Sequence, residues 1–127
     1  MNPSTNHQKI RLFGIPNCDS VKKARVWLDD KGVDYEFQDF KKSPLTTNQL
    51  KNWCKHVGWE TLVNKKSTTW RALSPEIQKS VTNESSACQL LVEYPSLVKR
   101  PVMWSTESEQ VIVGVQPSLW EKMVGVT

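Results

Sequence analysis

Cysteine is scarce in this sequence, and the few cysteines stand far apart. The 127 residues include 3 cysteines and 2 histidines, without a CxxC motif. An odd, low number of separated cysteines does not predict a disulfide framework, so we expect a reducing, cytoplasmic compartment. Neither His7 nor His56 has cysteine partners at the spacing of zinc ligands, so we expect no metal site.

Long apolar runs and long basic runs are missing as well. The longest apolar stretches are too short to cross a bilayer, so we expect no membrane association. Residues 1–9 lack the apolar segment of a signal peptide and are expected to form a loose lead-in. The net charge is +4 and the isoelectric point is near 9.0, yet no Lys/Arg run exceeds two residues. This pattern fits a small anion pocket better than a nucleic-acid surface.

The length and composition are those of one globular domain. Hydrophobic residues make up 38% of the chain and charged residues 24%, which is ordinary for a folded protein. A chain of this length can bury about two-thirds of its unfolded surface. We therefore expect a single domain over residues 10–127, acting as a monomer.

The first forty residues carry the pattern of a β-α-β unit. An apolar run, Ile10–Ile15, predicts a strand, and Ser20–Lys31 has apolar residues at helical spacing. The alternation of Val33–Phe40 predicts a second strand. A connection of this length implies parallel strands, with Asp19 or Ser20 as the expected cap of the helix.

The middle of the chain has the spacing of helices. We expect helices to begin near Asn48, Pro75 and Asn83, with Asn64–Arg71 as a polar, basic loop. The middle of the chain shows no strand pattern, so it predicts a helical lobe beside a small sheet.

The last third of the chain returns to strand patterns. Val102–Trp104 and Gln110–Val113 are separated by a polar turn, which favours an antiparallel hairpin, and a helix is expected after Pro117. Together these segments predict an α/β fold with a small mixed four-stranded sheet and a helical lobe.

Cys18 stands where the first strand ends and the first helix begins. It follows Pro16 and Asn17, and Lys22 and Lys23 lie one turn later. Free backbone N–H groups and the helix dipole stabilise a thiolate at such a place, and nearby cations add to the effect. The alternative is a buried, inert cysteine at a strand–helix junction.

Three segments carry a resemblance to a known family. Phe13–Ala24 (FGIPNCDSVKKA), Asn64–Leu73 (NKKSTTWRAL) and Leu97–Val102 (LVKRPV) occur in the order seen in the ArsC/Spx family, closest to its YffB-like branch. The resemblance covers residues from about 10 to 124. It implies a thioredoxin-like fold with a helical insertion between the second and third strands.

The resemblance also implies a function and its residues. The family's arsenate reductases attack arsenate with the loop cysteine; glutathione then attacks the arseno-cysteine, and glutaredoxin helps complete the reduction. Cys18 matches that nucleophile, and Arg100 matches the arginine that holds the oxyanion. Pro101 matches the proline that is cis in thioredoxin-like folds and shapes the cleft, although a trans-proline opening an edge strand remains the alternative. The other positions expected to bind substrate or glutathione are Asn17, Lys22 and Lys66.

We therefore expect a glutathione-dependent thiol oxidoreductase of arsenate reductase-like type, with a small oxyanion or thiol substrate and no bound cofactor. Glutathione is the expected co-substrate and glutaredoxin a candidate partner.

Two departures from the family keep other functions open. The reductases carry arginines in segments corresponding to Val63–Lys66 and Val113–Pro117, where this chain has only Lys65 and Lys66 as basic residues. A true arsenate reductase remains one alternative despite these missing arginines. The Spx regulators bind RNA polymerase and carry a CxxC switch in the loop, but this chain reads Cys18-Asp-Ser-Val21. A non-enzymatic, Spx-like interaction protein is the other alternative.

Cys54 and Cys88 remain after Cys18 is assigned. Either one could resolve an oxidised Cys18, but Cys54 lies on the apolar face of its helix and Cys88 is next to Ala87 on a second helix, so each is better explained as an inert residue of the core or the surface. Without a resolving partner, an external thiol such as glutathione is the expected redox mate.

Overall fold

A computed structural model describes residues 10–125, so the expected lead-in at residues 1–9 lies outside the described part of the chain. The elements, in chain order, are β1 (Ile10–Gly14), α1 (Asp19–Asp30), β2 (Tyr35–Asp39), α2 (Thr47–Val57), α3 (Trp59–Leu62), α4 (Thr68–Ala72), α5 (Pro75–Ser80), α6 (Glu84–Glu93), a 3₁₀ turn (Pro95–Leu97), β3 (Val102–Ser105), β4 (Val111–Val113) and α7 (Pro117–Val124). The chain divides into two compact units. Within the described residues, 10–40 and 100–125 form a sheet unit, and 41–99 form a helical unit.

The sheet is mixed and has the order β2-β1-β3-β4. β1 and β2 are parallel, as the β-α-β pattern predicts, and β1 pairs antiparallel with β3. β3 and β4 form the antiparallel hairpin expected from their spacing. The predicted small mixed four-stranded sheet is therefore confirmed.

One face of the sheet packs against α1 and α7. Because alternate residues of a strand point to the same face, β1 contributes Ile10 and Leu12 to this core. The helices and other strands add Ala24, Leu28, Met103, Ile112 and Trp120. Leu28 is fully buried, which stabilises the fold by about 1.5–3 kcal/mol relative to an exposed side chain.

The helical unit is organised around α2 and α6, which pack against each other. Thr46 caps α2 and Asn83 caps α6, each in a capping box that satisfies free N–H groups of the first turn. Gly58 ends α2 with φ of 83°, a left-handed backbone conformation that favours glycine. The boundaries expected for these helices from the sequence are close to those observed.

Two short helices differ from the expectation. Residues 64–67 form a turn, but the segment continues into α4, so a loop over all of Asn64–Arg71 is wrong. Ser67 causes the change, because its hydroxyl oxygen accepts the Trp70 backbone N–H at 3.1 Å and caps the helix. The four-residue helix α3 was not expected at all, since it is too short to show a hydrophobic period.

None of the helices within residues 10–125 is long and apolar enough to cross a membrane.

Candidate active site

Cys18 occupies the N-cap position of α1. Its backbone is extended, with φ −101° and ψ 127°, and its carbonyl oxygen accepts the Lys22 backbone N–H at 2.9 Å. The expected cap at Asp19 or Ser20 is therefore wrong, because the helix already begins at Asp19. A cap side chain normally accepts the N–H of the second or third helical residue, which here are Ser20 and Val21. The cysteine sulfur stands where a serine or aspartate oxygen usually lies.

This position makes Cys18 more acidic than an ordinary thiol. Burial raises the pKa of Cys18, but interactions of the thiolate with the Val21 backbone N–H, the Arg100 side chain and the Ser20 backbone N–H lower it. The positive charge of Arg100 adds a smaller effect, and together these groups bring the pKa below its ordinary value. The residue is only partly buried. An acidic, accessible thiol is the form that reacts as a nucleophile.

The strand pairing brings Arg100 to Cys18. Phe13 of β1 is paired with Val102 of β3, so the residues just before β3 lie beside the loop that follows β1. The Arg100–Pro101 peptide bond is cis, as in the thioredoxin-like folds. A guanidinium presents a planar fork of donors, which suits both a thiolate and a tetrahedral oxyanion.

Replacing Arg100 by alanine should slow the reaction of Cys18 with iodoacetamide about tenfold at neutral pH. A hydrogen bond from a charged donor is worth about 1.5–3 kcal/mol, and losing it reduces the thiolate fraction. The alkylation is stopped at a series of times, and the intact mass of the protein then gives the modified fraction and thus the rate. Lys99→Ala is the matched control, because it removes an equal charge from an exposed neighbour. Equal rates in Arg100→Ala and the parent would mean that Arg100 does not act on the sulfur.

Two other predicted site residues lie near Cys18 along the chain. Asn17 is exposed in the turn closed by the hydrogen bond from the Cys18 backbone N–H to the Ile15 carbonyl oxygen at 3.2 Å. Lys22 is exposed on α1. Lys22 and Lys23 are not among the groups that lower the pKa of Cys18. Their role in binding substrate or glutathione stays a prediction.

Lys66 lies in the helical unit, in the turn that precedes α4. Its backbone N–H donates to the Asn64 side-chain oxygen at 3.1 Å, and its side chain is exposed. The neighbouring Lys65 ammonium lies over the rings of Trp59 and Trp70, 5.9 and 5.5 Å from their centres. These cation–π contacts hold Lys65 within the unit. A role for Lys66 in binding an anion stays a prediction.

Gly14 supports the site in a way that the sequence reasoning missed. A Cβ atom at this position would lie 2.5 Å from Cγ2 of Val21, closer than real contacts allow. Val21 is fully buried, and its backbone N–H is one of the groups that lower the pKa of Cys18. Glycine at position 14 therefore lets the first turn of α1 approach the end of β1. A glycine at the end of a strand is the only sequence signal for such a close approach.

The other two cysteines are buried in the helical unit. Cys54 lies on α2 and Cys88 on α6, and burial raises the pKa of each thiol. Raised pKa values make both poor nucleophiles at neutral pH. That they contact each other was not foreseen from the sequence.

Comparison with known proteins places this site in a family. The sequence matches the ArsC family over residues 13–123, which is most of the chain. The chain belongs to the ArsC family. An uncharacterised protein of Haemophilus influenzae is 40% identical to this family member over 94 residues, covering 74% of this chain and 82% of the relative. Spx 1 of Lactococcus lactis, a global transcriptional regulator, is 29% identical over 107 residues, covering 83% and 80%.

Solved structures agree with this membership. A YffB protein is 36% identical with a TM-score of 0.84, covering 91% of this chain and 98% of that one. An arsenate reductase-related protein of Brucella melitensis is 40% identical with a TM-score of 0.70, covering 91% and 93%. The ArsC-family member described here therefore has the thioredoxin-like fold of arsenate reductase-like thiol oxidoreductases. The predicted family and fold are both confirmed.

Proposed function

We propose that this protein is a cytoplasmic, glutathione-dependent thiol oxidoreductase of arsenate reductase-like type that uses Cys18 as its only nucleophile. The observation that carries the proposal is the arrangement at the start of α1. There, the backbone N–H groups of Val21 and Ser20 and the Arg100 side chain favour the Cys18 thiolate and lower its pKa. A purely structural cysteine has no need of this arrangement, whereas a nucleophilic thiol depends on it.

In the proposed reaction, glutathione supplies the electrons. The Cys18 thiolate attacks the glutathione sulfur of a substrate–glutathione disulfide, and the substrate thiolate leaves. A second glutathione thiolate then attacks the Cys18–glutathione disulfide, which releases glutathione disulfide and restores the Cys18 thiolate. The donors at the start of α1 favour both steps, because Cys18 is the attacking thiolate in the first and the leaving thiolate in the second.

Arg100 has two roles in this proposal. It stabilises the Cys18 thiolate, and a guanidinium is suited to bind a glutathione carboxylate or a tetrahedral oxyanion substrate. Pro101 is proposed to shape the cleft beside the sulfur, and Lys66 stays a proposed ligand of the substrate or of glutathione. Glutaredoxin is the proposed protein partner, since it could replace the second glutathione.

The pH dependence of Cys18 alkylation, measured with and without glutathione disulfide, tests the proposal. A variant with Cys54→Ser and Cys88→Ser reports Cys18 alone. Because only the thiolate reacts, the rate should rise through the Cys18 pKa, and the midpoint of this rise should lie below the pH where an ordinary thiol titrates, about 8.5. Glutathione disulfide should add one glutathione to Cys18. The proposal would be contradicted if Cys18 titrates at the pH of an ordinary thiol and does not react with glutathione disulfide.

The likeness to Spx regulators supports a second candidate function, an RNA polymerase-binding protein. If this is the function, Cys18 is not needed for binding to RNA polymerase. The Cys18→Ser variant should then bind RNA polymerase as well as the parent does in a purified pull-down. The absence of binding by the parent would remove this candidate.

A true arsenate reductase is the third candidate, supported by membership in the ArsC family. It requires arsenate turnover with glutathione that Arg100→Ala largely abolishes. Absence of turnover in the parent protein would reject it while leaving the disulfide chemistry above unaffected.

A further inference from the structure

The helical unit contains a pair of thiols that the proposed reaction does not use. The Sγ atoms of Cys54 and Cys88 lie 3.8 Å apart, although 34 positions separate the two residues in the chain. Cys54 is 5% exposed and Cys88 is 1% exposed. Both are free thiols, so the contact is a weak S–H···S hydrogen bond.

The meeting of these thiols follows from the packing of α2 against α6. Each cysteine lies on the buried face of its helix, and that face also carries Leu50 and Trp53 in α2, and Ala87 and Leu91 in α6. Both helices are fixed at their start by a capping box. The two sulfur atoms are thus held opposite each other by the apolar contacts of two well-defined helices.

We propose that Cys54 and Cys88 form a buried dithiol that hydrogen peroxide oxidises to an intramolecular disulfide joining α2 to α6. The sulfur atoms would have to approach from 3.8 Å to a bond length of about 2.05 Å. Side-chain rotation and small helix shifts can supply a movement of that size without unfolding either helix.

The surroundings indicate which sulfur reacts first. Burial raises the pKa of Cys54 to about 12, and the nearby Cys88 and Glu84 contribute to the increase. Burial and Glu84 also raise the pKa of Cys88, but the hydrogen bond from Cys54 and the charge of Lys51 oppose the rise. The pKa of Cys88 is still raised overall, but Cys54 and Lys51 favour its thiolate, so Cys88 is the sulfur expected to react first. Its reaction is expected to be slower than that of the accessible, acidic Cys18.

The oxidation has two steps. The Cys88 thiolate attacks one oxygen of hydrogen peroxide and becomes a sulfenic acid, and the hydroxide that leaves takes the proton lost by the thiol to form water. The Cys54 sulfur then attacks the sulfenic sulfur, its proton leaves with the hydroxyl group as a second water, and the disulfide forms. Two thiols lose two electrons in total, and one peroxide molecule gains them.

A disulfide at this place would stabilise the helical unit during oxidative stress. It would tie together two helices that are far apart in sequence and so reduce the freedom of the unfolded chain. Its formation does not depend on the chemistry of Cys18.

The test uses the full-length protein with Cys18→Ser, which removes the exposed thiol. Treatment with hydrogen peroxide should lower the intact mass by two hydrogens, and a thiol reductant should reverse the change. Trypsin digestion without reduction should yield residues 52–55 linked to residues 80–99. The oxidised protein should also unfold at a higher urea concentration than the reduced protein.

Two matched variants, Cys18→Ser with Cys54→Ala and Cys18→Ser with Cys88→Ala, should lose both the mass change and the linked peptide. The proposal is overturned if the Cys18→Ser protein keeps both thiols, or if each sulfur is oxidised separately to sulfinic acid. It is equally overturned if the link joins two molecules, or if it forms only after the chain is unfolded in urea.

Discussion

Cys18→Ser is expected to reduce glutathione-dependent disulfide turnover at least about a thousandfold, because it removes the attacking atom itself. A serine hydroxyl is hardly ionised at neutral pH, and the hydrogen bonds from Val21 and Ser20 are too weak to change that. The measurement is reduction of bis(2-hydroxyethyl) disulfide by glutathione, coupled to NADPH oxidation by glutathione reductase. The uncatalysed rate is subtracted.

The same substitution should not damage the fold. Serine is among the preferred N-cap residues, so its hydroxyl oxygen can accept the N–H groups that the cysteine sulfur accepts in the parent. We expect the urea midpoint of Cys18→Ser to equal or exceed that of the parent. Cys54→Ala is the control, because it removes a cysteine that lies outside the proposed site. This variant should keep the disulfide turnover of the parent protein. Turnover by Cys18→Ser close to that of the parent would reject Cys18 as the nucleophile.

Gly14→Ala is expected to cost about 1–3 kcal/mol of folding stability and to slow the alkylation of Cys18. The added Cβ would lie 2.5 Å from Cγ2 of Val21 and 3.1 Å from Cγ1, so the first turn of α1 must move away. Gly14 has little freedom to move instead, because it is paired with Asp39 and its carbonyl oxygen accepts the Phe40 N–H at 3.2 Å. Urea unfolding and the alkylation rate at neutral pH measure the two effects.

A second substitution tests whether the contact between residue 14 and Val21 causes the loss of stability and the slower alkylation. Val21→Ala removes Cγ1 and Cγ2, the two atoms closest to the new Cβ, and keeps only its own Cβ at 3.4 Å, although it leaves a cavity. The double variant Gly14→Ala/Val21→Ala should therefore alkylate faster than Gly14→Ala alone, and its stability loss should be smaller than the sum of the two single losses. Stability losses that add to within about 0.5 kcal/mol would show that the two residues are not coupled.

The local elements of this protein could be predicted from short stretches of sequence. The alternation in β2, the helical spacing in α1 and the caps Thr46 and Asn83 depend on neighbours within a few residues. The same reasoning failed where a single side chain decided the outcome. Ser67 converts a polar stretch into the helix α4, and Cys18 replaces the expected oxygen cap of α1.

The site could be predicted only in part. Cys18 was identified because its place between strand and helix is visible in the sequence, and Arg100 and Pro101 because they resemble a family motif. The free backbone N–H groups after Cys18 were expected to lower its pKa, and those of Val21 and Ser20 do so. The lysines after Cys18 were expected to add to this effect, but the cation that contributes is Arg100, which is distant in sequence.

What the sequence determined by itself was thus most of the elements, the place of Cys18 between a strand and a helix, and the family. Tertiary structure alone decided which distant groups meet: Arg100 with Cys18, the Val21 side chain against Gly14, and Cys54 with Cys88. Each of these contacts depends on strand register or helix packing over long stretches of chain. Register and packing result from the burial of many apolar side chains at once, so no short motif contains the information that places these groups together.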